Sequence, residues 1–178
     1  MPVQRFALVL AALSLGAAAC SDPVSPPAQA AIAIQKRSVS DCFQIADNTL
    51  SEPEGTEAFI AIMNQSTPPP DDIRIVDGEG GATVSCDVSG SGTFRGNLRT
   101  SRTSFVVTDG QASGDTGTAL ITQWDHVSQE TLTGSCTLGI KSLRGGAVWA
   151  SFDCPMFNAP PTINCAGSGV LIFENCGE

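Results

Sequence analysis

Basic and aromatic residues are scarce in this chain. Lys and Arg number 9 against 18 Asp and Glu, for a formal charge of −9, so binding to nucleic-acid phosphates through counterion release is disfavoured. Tyr is absent and aromatic residues make up 6% of the chain, which leaves little material for a surface that stacks on sugar rings. With 15% charged and 42% apolar residues, the chain is nevertheless too hydrophobic to be disordered throughout.

Histidine and long apolar runs are equally scarce. With one histidine and no CxxC or HxxxH spacing, the sequence predicts no metal site and no cofactor. No apolar run approaches the roughly 20 residues that cross a membrane as a helix. The run over residues 6–15 is too short for that purpose and has a different explanation.

The N-terminal residues have the layout of a secretory signal. Arg5 precedes the apolar run over residues 6–15, and small residues follow over residues 16–19, as in peptides that are removed on export. Cys20 comes directly after three alanines, which resembles the lipobox of bacterial lipoproteins. Ala17 departs from the commonest pattern of that class, which has Leu at this position.

The lipobox resemblance covers residues 1–22 and implies a lipid anchor. In that class the cysteine thiol is acylated and the chain is cut just before it, so the resemblance implies a lipidated N-terminus at Cys20. Ser21 stands where Asp retains such proteins in the inner membrane, which implies the outer membrane of a Gram-negative cell. Several acyl chains, palmitate among them, would make the anchoring stable. The alternative is ordinary signal cleavage near Ala19, with Cys20 unmodified.

Residues 20–40 are rich in Pro, Ala and Ser and are interpreted as a semi-rigid tether between the membrane and the folded part. We expect a single domain over residues 41–178, which is long enough to bury a hydrophobic core. Residues 30–34 are apolar, so this part of the tether could also pack or pair with a strand.

An even number of cysteines follows Cys20, which predicts disulfides in an exported chain. They are Cys42, Cys86, Cys136, Cys154, Cys165 and Cys176. Sequence alone does not choose among the possible pairings. We expect about three disulfides, each contributing about 2–4 kcal/mol to stability.

A predicted hairpin favours one of these pairs. The segment Arg144-Gly145-Gly146 is typical of a three-residue turn, with Gly where φ must be positive. Pairing Leu143 with Ala147 across this turn places Cys136 opposite Cys154, close enough to form a disulfide. The remaining assignments have little support: Cys165 with Cys176, and Cys42 with Cys86.

The dominant periodicity of the domain is two. Residues 82–88 alternate between apolar and polar side chains. Similar segments occur at residues 94–100, 104–108, 118–124, 131–140, 147–153 and 169–173. Turn signals fall between these segments, among them Asp109-Gly110 and Gly114-Asp115. Short alternating strands separated by such turns predict an all-β domain, either an antiparallel β-sandwich or a barrel.

One short helix is a possible exception, near residues 51–64. Ser51 and Glu54 fit a capping box, and residues 57–63 could continue the helix. The same stretch suits a strand, because residues 59–62 are apolar and have no decisive period.

The single histidine is the first candidate for catalysis. His126 adjoins Asp125, and serines are frequent, but a Ser-His-Asp site needs three groups that the fold brings together. No GxSxG nucleophile elbow is present. We therefore interpret His126 as part of a solvated loop and predict no catalytic residue.

Carboxylates are concentrated between residues 41 and 87. Two groups could supply some of the six or more oxygens that calcium takes: Asp71, Asp72, Asp77 and Glu79, or Asp109 and Asp115. Neither matches an EF-hand loop or a Gly-Gly-x-Gly-x-Asp repeat. Solvated carboxylates on loops are the favoured interpretation.

Two features are candidates for ligand binding. Within the basic cluster Arg95, Arg99 and Arg102, the first two share a strand face and could meet an anionic polysaccharide or lipid headgroup. The favoured alternative is that these arginines offset the acidic half of their own domain. Trp149 falls on the more polar face of its strand, where an indole could stack on a sugar or a partner. A half-buried Trp that covers a sheet edge is the alternative there.

These observations predict an exported, lipid-anchored outer-membrane protein, facing the periplasm or the cell surface, that acts as a non-catalytic binding or structural module. Its predicted partners are the membrane, through the anchor on Cys20, and an unidentified envelope or surface ligand. One alternative is a hydrolase of envelope polymers that uses His126 with carboxylates. Another is a disulfide-rich inhibitor of secreted proteases, for which residues 155–164 are the candidate protruding loop.

Overall fold

Alternating apolar residues build one continuous antiparallel sheet, which curls into a half-barrel. A computed structural model describes residues 25–37, 49–53, 74–126, 129–159 and 163–177. Its strands are β1 (Gln29–Arg37), β2 (Thr49–Glu52), β3 (Ile75–Val76), β4 (Thr83–Val88), β5 (Thr93–Arg99), β6 (Thr103–Ser113), β7 (Thr116–Asp125), β8 (Glu130–Arg144), β9 (Ala147–Ala159) and β10 (Ile163–Glu174). Among the described residues, no helix is long and apolar enough to cross a membrane.

The sheet is a meander of consecutive strands, and the N-terminal strand β1 pairs with the last strand, β10. Its order is β2-β1-β10-β9-β8-β7-β6-β5-β4, and the short β3 also pairs with β1. Strands β4 to β10 are therefore neighbours both in the chain and in the sheet, which is the arrangement that short hairpin turns produce. The predicted all-β antiparallel fold is confirmed.

The concave face of the curled sheet holds the main hydrophobic core. Every strand from β4 to β10 contributes to it, as do β1 and β2. Its largest fully buried apolar side chains are Ile32, Ile34, Leu98, Phe105, Ile121, Leu132, Phe157, Leu171 and Phe173. Burial of this apolar surface is the main stabilising contribution to the fold.

Strand β1 lies inside the sheet, between β10 and β2. The prediction of a tether over residues 20–40 is therefore wrong for Gln29–Arg37. Its apolar residues 30–34 are at most 1% exposed and pair with β10 on one side and β2 on the other. A run that is apolar at every position gains more from burial on both faces than from exposure in a tether.

The C-terminal segment (residues 175–177) ties the edge strand β4 to the rest of the sheet. Cys176 forms a disulfide with Cys86 of β4. The backbone N–H of Val88 donates to the carbonyl of Gly177 at 2.8 Å, and the N–H of Gly177 donates to the carbonyl of Cys86 at 3.0 Å. These contacts satisfy backbone groups that an open sheet edge would otherwise present to other chains.

The disulfides confirm one predicted pair and correct another. Cys136 and Cys154 are bonded as predicted. The Cys86–Cys176 disulfide shows that the assignments of Cys86 to Cys42 and of Cys176 to Cys165 are wrong. These two assignments fail because the end of β10 returns to β4, a long-range contact that spacing does not reveal. Cys165 is itself disulfide-bonded. All five cysteines of the described residues are therefore bonded, which indicates an extracytoplasmic protein.

Two further predictions concern segments around residues 51–64 and 155–164, which lie partly outside the described residues. Ser51, the expected helix cap, lies in β2, while residues 54–64 of the expected helix lie outside the described residues. The loop expected over residues 155–164 is mostly strand, because β9 continues to Ala159 and β10 begins at Ile163. A protruding inhibitory loop therefore has little room here.

Candidate binding clefts on the outer face

An ion pair between β4 and β5 marks a cleft on the outer surface. Asp87 and Arg95 are directly opposite in the two strands, and Arg95 Nε donates to Asp87 Oδ2 at 2.5 Å. Their side chains are 50% and 74% exposed. Exposed pairs of this kind contribute only about 0–1 kcal/mol to stability. The pair therefore chiefly fixes the positions of two hydrogen-bonding groups on the surface.

A bulge in β6 brings further polar groups to this surface. The β6–β7 register shifts between Thr108 and Gln111, and Asp109 adopts φ 52°, which side chains other than Gly rarely take. Gly110 is required here, because a Cβ atom would lie 2.5 Å from the carbonyl oxygen of Phe94. The dipeptide that suggested a turn thus forms a bulge, which leaves the side chains of Asp109 and Gln111 exposed.

Two open clefts meet at the ion pair. The larger has a volume of about 440 Å³, and its lining includes Asp87, Arg95, Asp109 and Gln111. The smaller, of about 330 Å³, lies on the other side of the same pair. Its polar lining residues are Ser85, Asp87, Arg95, Asn97 and Thr108. Cys86, Val106 and Val107 also line the smaller cleft, so the two clefts together form a surface of mixed polar and apolar character across β4, β5 and β6.

The charges of this surface do not favour an anionic ligand. The larger cleft carries two carboxylates, Asp87 and Asp109, and one guanidinium, Arg95, which is already paired with Asp87. Hydroxyl and amide side chains complete its polar lining. The arrangement suits hydrogen bonds to uncharged donors and acceptors better than it suits phosphate or carboxylate.

The three predicted arginines do not form one patch. Arg99 is exposed on the same strand and face as Arg95, but it lies four residues further along, roughly 13 Å away at strand spacing. It lines neither cleft. Arg102 lies between β5 and β6 and is partly buried, with its backbone N–H donating to Thr100 Oγ1 at 3.2 Å.

Trp149 is not available for stacking on a surface ligand. It is 3% exposed and packs in a second apolar cluster on the outer face, with Ala31, Ala33, Val170 and Ile172. The prediction that Trp149 lies on a polar face of β9 is wrong, because β1 and β10 place apolar residues beside the indole. The exposed tryptophan of the described residues is Trp124, at 38%.

Within the described part of the chain, His126 contacts a serine hydroxyl and a backbone carbonyl. Its Nε2 lies 3.0 Å from Ser104 Oγ, and its Nδ1 lies 3.2 Å from the backbone carbonyl oxygen of Ser101. That carbonyl stands where a triad has a carboxylate. The Trp124 ring lies edge-on at 4.6 Å, and His126 lines neither of the two clefts.

A calcium site was the less favoured interpretation of these carboxylates, and it gains no support within the described part of the chain. Asp77 instead accepts a hydrogen bond from the backbone N–H of Val84 at 2.8 Å. No group of three or more His, Cys, Asp or Glu suited to a metal occurs among the described residues. Asp71 and Asp72 lie outside them.

Comparison with known proteins adds no assignment, since no family model, curated protein or solved structure matches the chain. The clefts must therefore be judged on their geometry. Sequence reasoning found Arg95, considered Asp109 only as a calcium ligand, and missed Asp87 and Gln111. Asp87 lies opposite Arg95 because of the register of β4 against β5, which the sequence pattern does not reveal. The Asp109-Gly110 pair was a signal for the bulge, but the sequence pattern predicts a turn there.

Proposed function

We propose that this chain is a lipid-anchored envelope protein that acts as a non-catalytic binding module. The signal-like N-terminus and Cys20 support the anchor, and the disulfides support export. If Cys20 is acylated, Cys42 is the only cysteine left for Cys165, because Cys86–Cys176 and Cys136–Cys154 account for the others. The anchor and the disulfide pairing are thus one linked proposal.

The observation that carries the binding role is the pair of clefts at Asp87–Arg95. Arg95 uses Nε toward Asp87, and a guanidinium has five N–H donors, so the pair offers both donors and acceptors at the point where the clefts meet. The other polar side chains around the pair are largely uncharged, and apolar side chains line part of the smaller cleft. The ligand that fits is an envelope polymer rich in hydroxyl and amide groups, of which peptidoglycan is the accessible example in the periplasm.

Sedimentation with purified peptidoglycan sacculi tests this role. We expect the wild-type domain to co-sediment, and Arg95→Gln to weaken binding about tenfold or more, since hydrogen bonds to charged groups contribute about 1.5–3 kcal/mol. Arg99→Gln is the matched control, because it removes the same charge from the same strand and face without touching either cleft. Equal losses in both variants, or no binding by the wild type, would contradict the proposal.

A hydrolase is the second candidate, favoured by the contact between Ser104 and His126. A histidine at 3.0 Å from a serine hydroxyl can act as a general base toward it. A non-catalytic module leaves suspended sacculi turbid, whereas a hydrolase clears them. Clearing by the wild type that is lost in both Ser104→Ala and His126→Ala would establish the hydrolase and overturn the leading proposal.

A further inference from the structure

The outer face of β7 and β8 carries many hydroxyl groups and no charge. The inward side chains of these paired strands belong to the main core. Nine positions point the other way, five at alternate residues from 116 to 124 and four from 131 to 137, and none of them is buried. Seven of the nine are Thr or Ser, and the other two are Leu120 and Trp124. We call the surface formed by these nine side chains the hydroxyl face.

The strand register arranges the hydroxyl groups as a regular grid. Thr118 lies opposite Thr137 and Thr122 lies opposite Thr133, with the two Oγ1 atoms of the second pair 3.1 Å apart. Residues directly opposite each other are about 5 Å apart, and one face of a strand repeats about every 7 Å. From Thr118 to Trp124 the face is about 20 Å long, which is long enough for a chain of several linked rings.

An exposed indole with fixed surroundings forms one end of the hydroxyl face. Trp124 is 38% exposed, and its backbone carbonyl oxygen accepts a hydrogen bond from Thr103 Oγ1 at 2.8 Å. The His126 ring lies edge-on to the indole at 4.6 Å, and its two nitrogens contact Ser104 Oγ and the carbonyl oxygen of Ser101. An aromatic side chain that is already held in place loses little conformational entropy when a ligand stacks on it.

The chemistry of this face fits a neutral sugar polymer. Hydroxyl side chains both donate and accept hydrogen bonds, as the hydroxyl groups of a sugar do, and an indole offers a large apolar surface for a sugar ring. Because none of the nine side chains is charged, an anionic or cationic polymer finds no opposite charge on the face. A protein partner fits less well, since the cores of protein interfaces are more apolar than a surface with seven hydroxyl side chains in nine.

We propose that the hydroxyl face binds an uncharged polysaccharide chain, with one sugar ring stacked on Trp124. The chain runs along β7 and β8 and exchanges hydrogen bonds with the Thr and Ser side chains. Thr108 of β6 lies opposite Leu120 and also lines the smaller cleft, so the face adjoins that cleft. Binding here nevertheless uses neither member of the Asp87–Arg95 pair and does not depend on the function proposed for the clefts.

Titration with cellohexaose, a neutral and extended sugar oligomer, tests the proposal through the indole N–H resonances of the ¹⁵N-labelled protein. The chain has two tryptophans, and Trp124→Phe assigns their signals. We expect cellohexaose to shift the Trp124 signal and to leave the Trp149 signal in place, because Trp149 is 3% exposed. A Trp124 signal that stays unchanged at millimolar cellohexaose would overturn the proposal.

Two matched variants test the contribution of the hydroxyl groups. Thr131 is exposed and lies opposite Trp124. Thr131→Val removes one hydrogen bond and keeps the shape of the side chain, so it should weaken cellohexaose binding about two- to tenfold. Thr83→Val makes the same change at an exposed position of β4 and should have no effect. An unmoved Trp149 signal shows that each variant is folded, and equal affinities in the two variants would overturn the proposal.

A second copy of the chain is the alternative occupant of this face. In the absence of sugar, we expect the Trp124 signal to be independent of protein concentration. A Trp124 signal that moves with protein concentration, together with a dimer in sedimentation velocity, would place a second copy on the hydroxyl face and overturn the proposal.

Discussion

Strands β1 and β10 are buried on both faces, whereas β5 and β6 are buried mainly on one. In β10, residues 170–173 are all at most 1% exposed, while in β5 every second residue from Phe94 to Leu98 is buried and Arg95 and Arg99 are exposed. The difference follows the sequence, which is continuously apolar in the first pair and alternates in the second. The two-sided strands are the most deeply buried part of the sheet, and the one-sided strands carry the open clefts.

The largest loss of stability is expected on removal of the Cys86–Cys176 disulfide, which ties β4 to the segment that follows β10. Replacing Cys86 and Cys176 by alanine should lower the free energy of unfolding by about 4 kcal/mol, because that disulfide closes a long loop. Its sequence separation is 90 residues, against 18 for Cys136–Cys154, whose removal should cost nearer 3 kcal/mol. Urea unfolding of the two double variants measures the order, and a larger loss at Cys136–Cys154 would contradict it.

Burial on the outer face of β10 should also be costly to disturb. Ile172 is 1% exposed there, so Ile172→Ala should destabilise the fold by about 2–4 kcal/mol. Thr118→Ala, on the exposed outer face of β7, is the control and should stay within about 0.5 kcal/mol. Equal urea midpoints for the two variants would show that the outer face of β10 is not packed as described.

The contact between β1 and β10 is close enough to exclude a methyl group. A Cβ atom on Gly169 would lie 2.0 Å from the backbone oxygen of Ala33, so Gly169→Ala should destabilise the fold by about 1–3 kcal/mol. Gly90 is a suitable control, since its nearest neighbour to such an atom is 3.8 Å away. The melting temperature of Gly169→Ala should be lower than that of Gly90→Ala. Equal melting temperatures would contradict the close contact between β1 and β10.

The smallest loss of stability is expected at Arg95, which belongs to the proposed binding site and lies on β5, a strand that is buried mainly on one face. Arg95→Gln breaks an exposed ion pair, so the free energy of unfolding should fall by less than about 1 kcal/mol, and by less still at high salt. Unfolding measured at two salt concentrations checks this. A loss as large as that of Ile172→Ala would mean that Arg95 acts structurally and that reduced ligand binding in this variant reports unfolding.

The predicted hairpin shows how a local error can leave a distant contact correct. The turn is one residue shorter than predicted, since Arg144 pairs with Ala147 and Leu143 with Val148. A register shift between Ile140 and Ser142 then restores the expected pairing, so that Thr137 faces Asp153. Cys136 and Cys154 therefore meet as predicted, although turn chemistry alone reveals neither the shorter loop nor the bulge.

The positions of most strands between residues 82 and 173 were predictable from alternation, but their surroundings were not. Trp149 alternates with apolar neighbours and was therefore assigned to a polar face; its burial depends on β1, which arrives from more than a hundred residues earlier in the chain. Asp109 was assigned to a turn, because Asp-Gly is common in both turns and bulges. A distant strand decided the first case and the register of β6 against β7 decided the second, and the local pattern shows neither.

The most direct test of the central claim is mass spectrometric mapping of non-reduced peptides from the protein extracted from the envelope. A lipid-anchored protein should give an N-terminal peptide that begins at an acylated Cys20. It should also give disulfide-linked peptides that join Cys86 to Cys176, Cys136 to Cys154 and Cys42 to Cys165. An unmodified Cys20, or a peptide that links Cys20 to Cys165, would contradict the lipid anchor and with it the proposed place of this protein in the envelope.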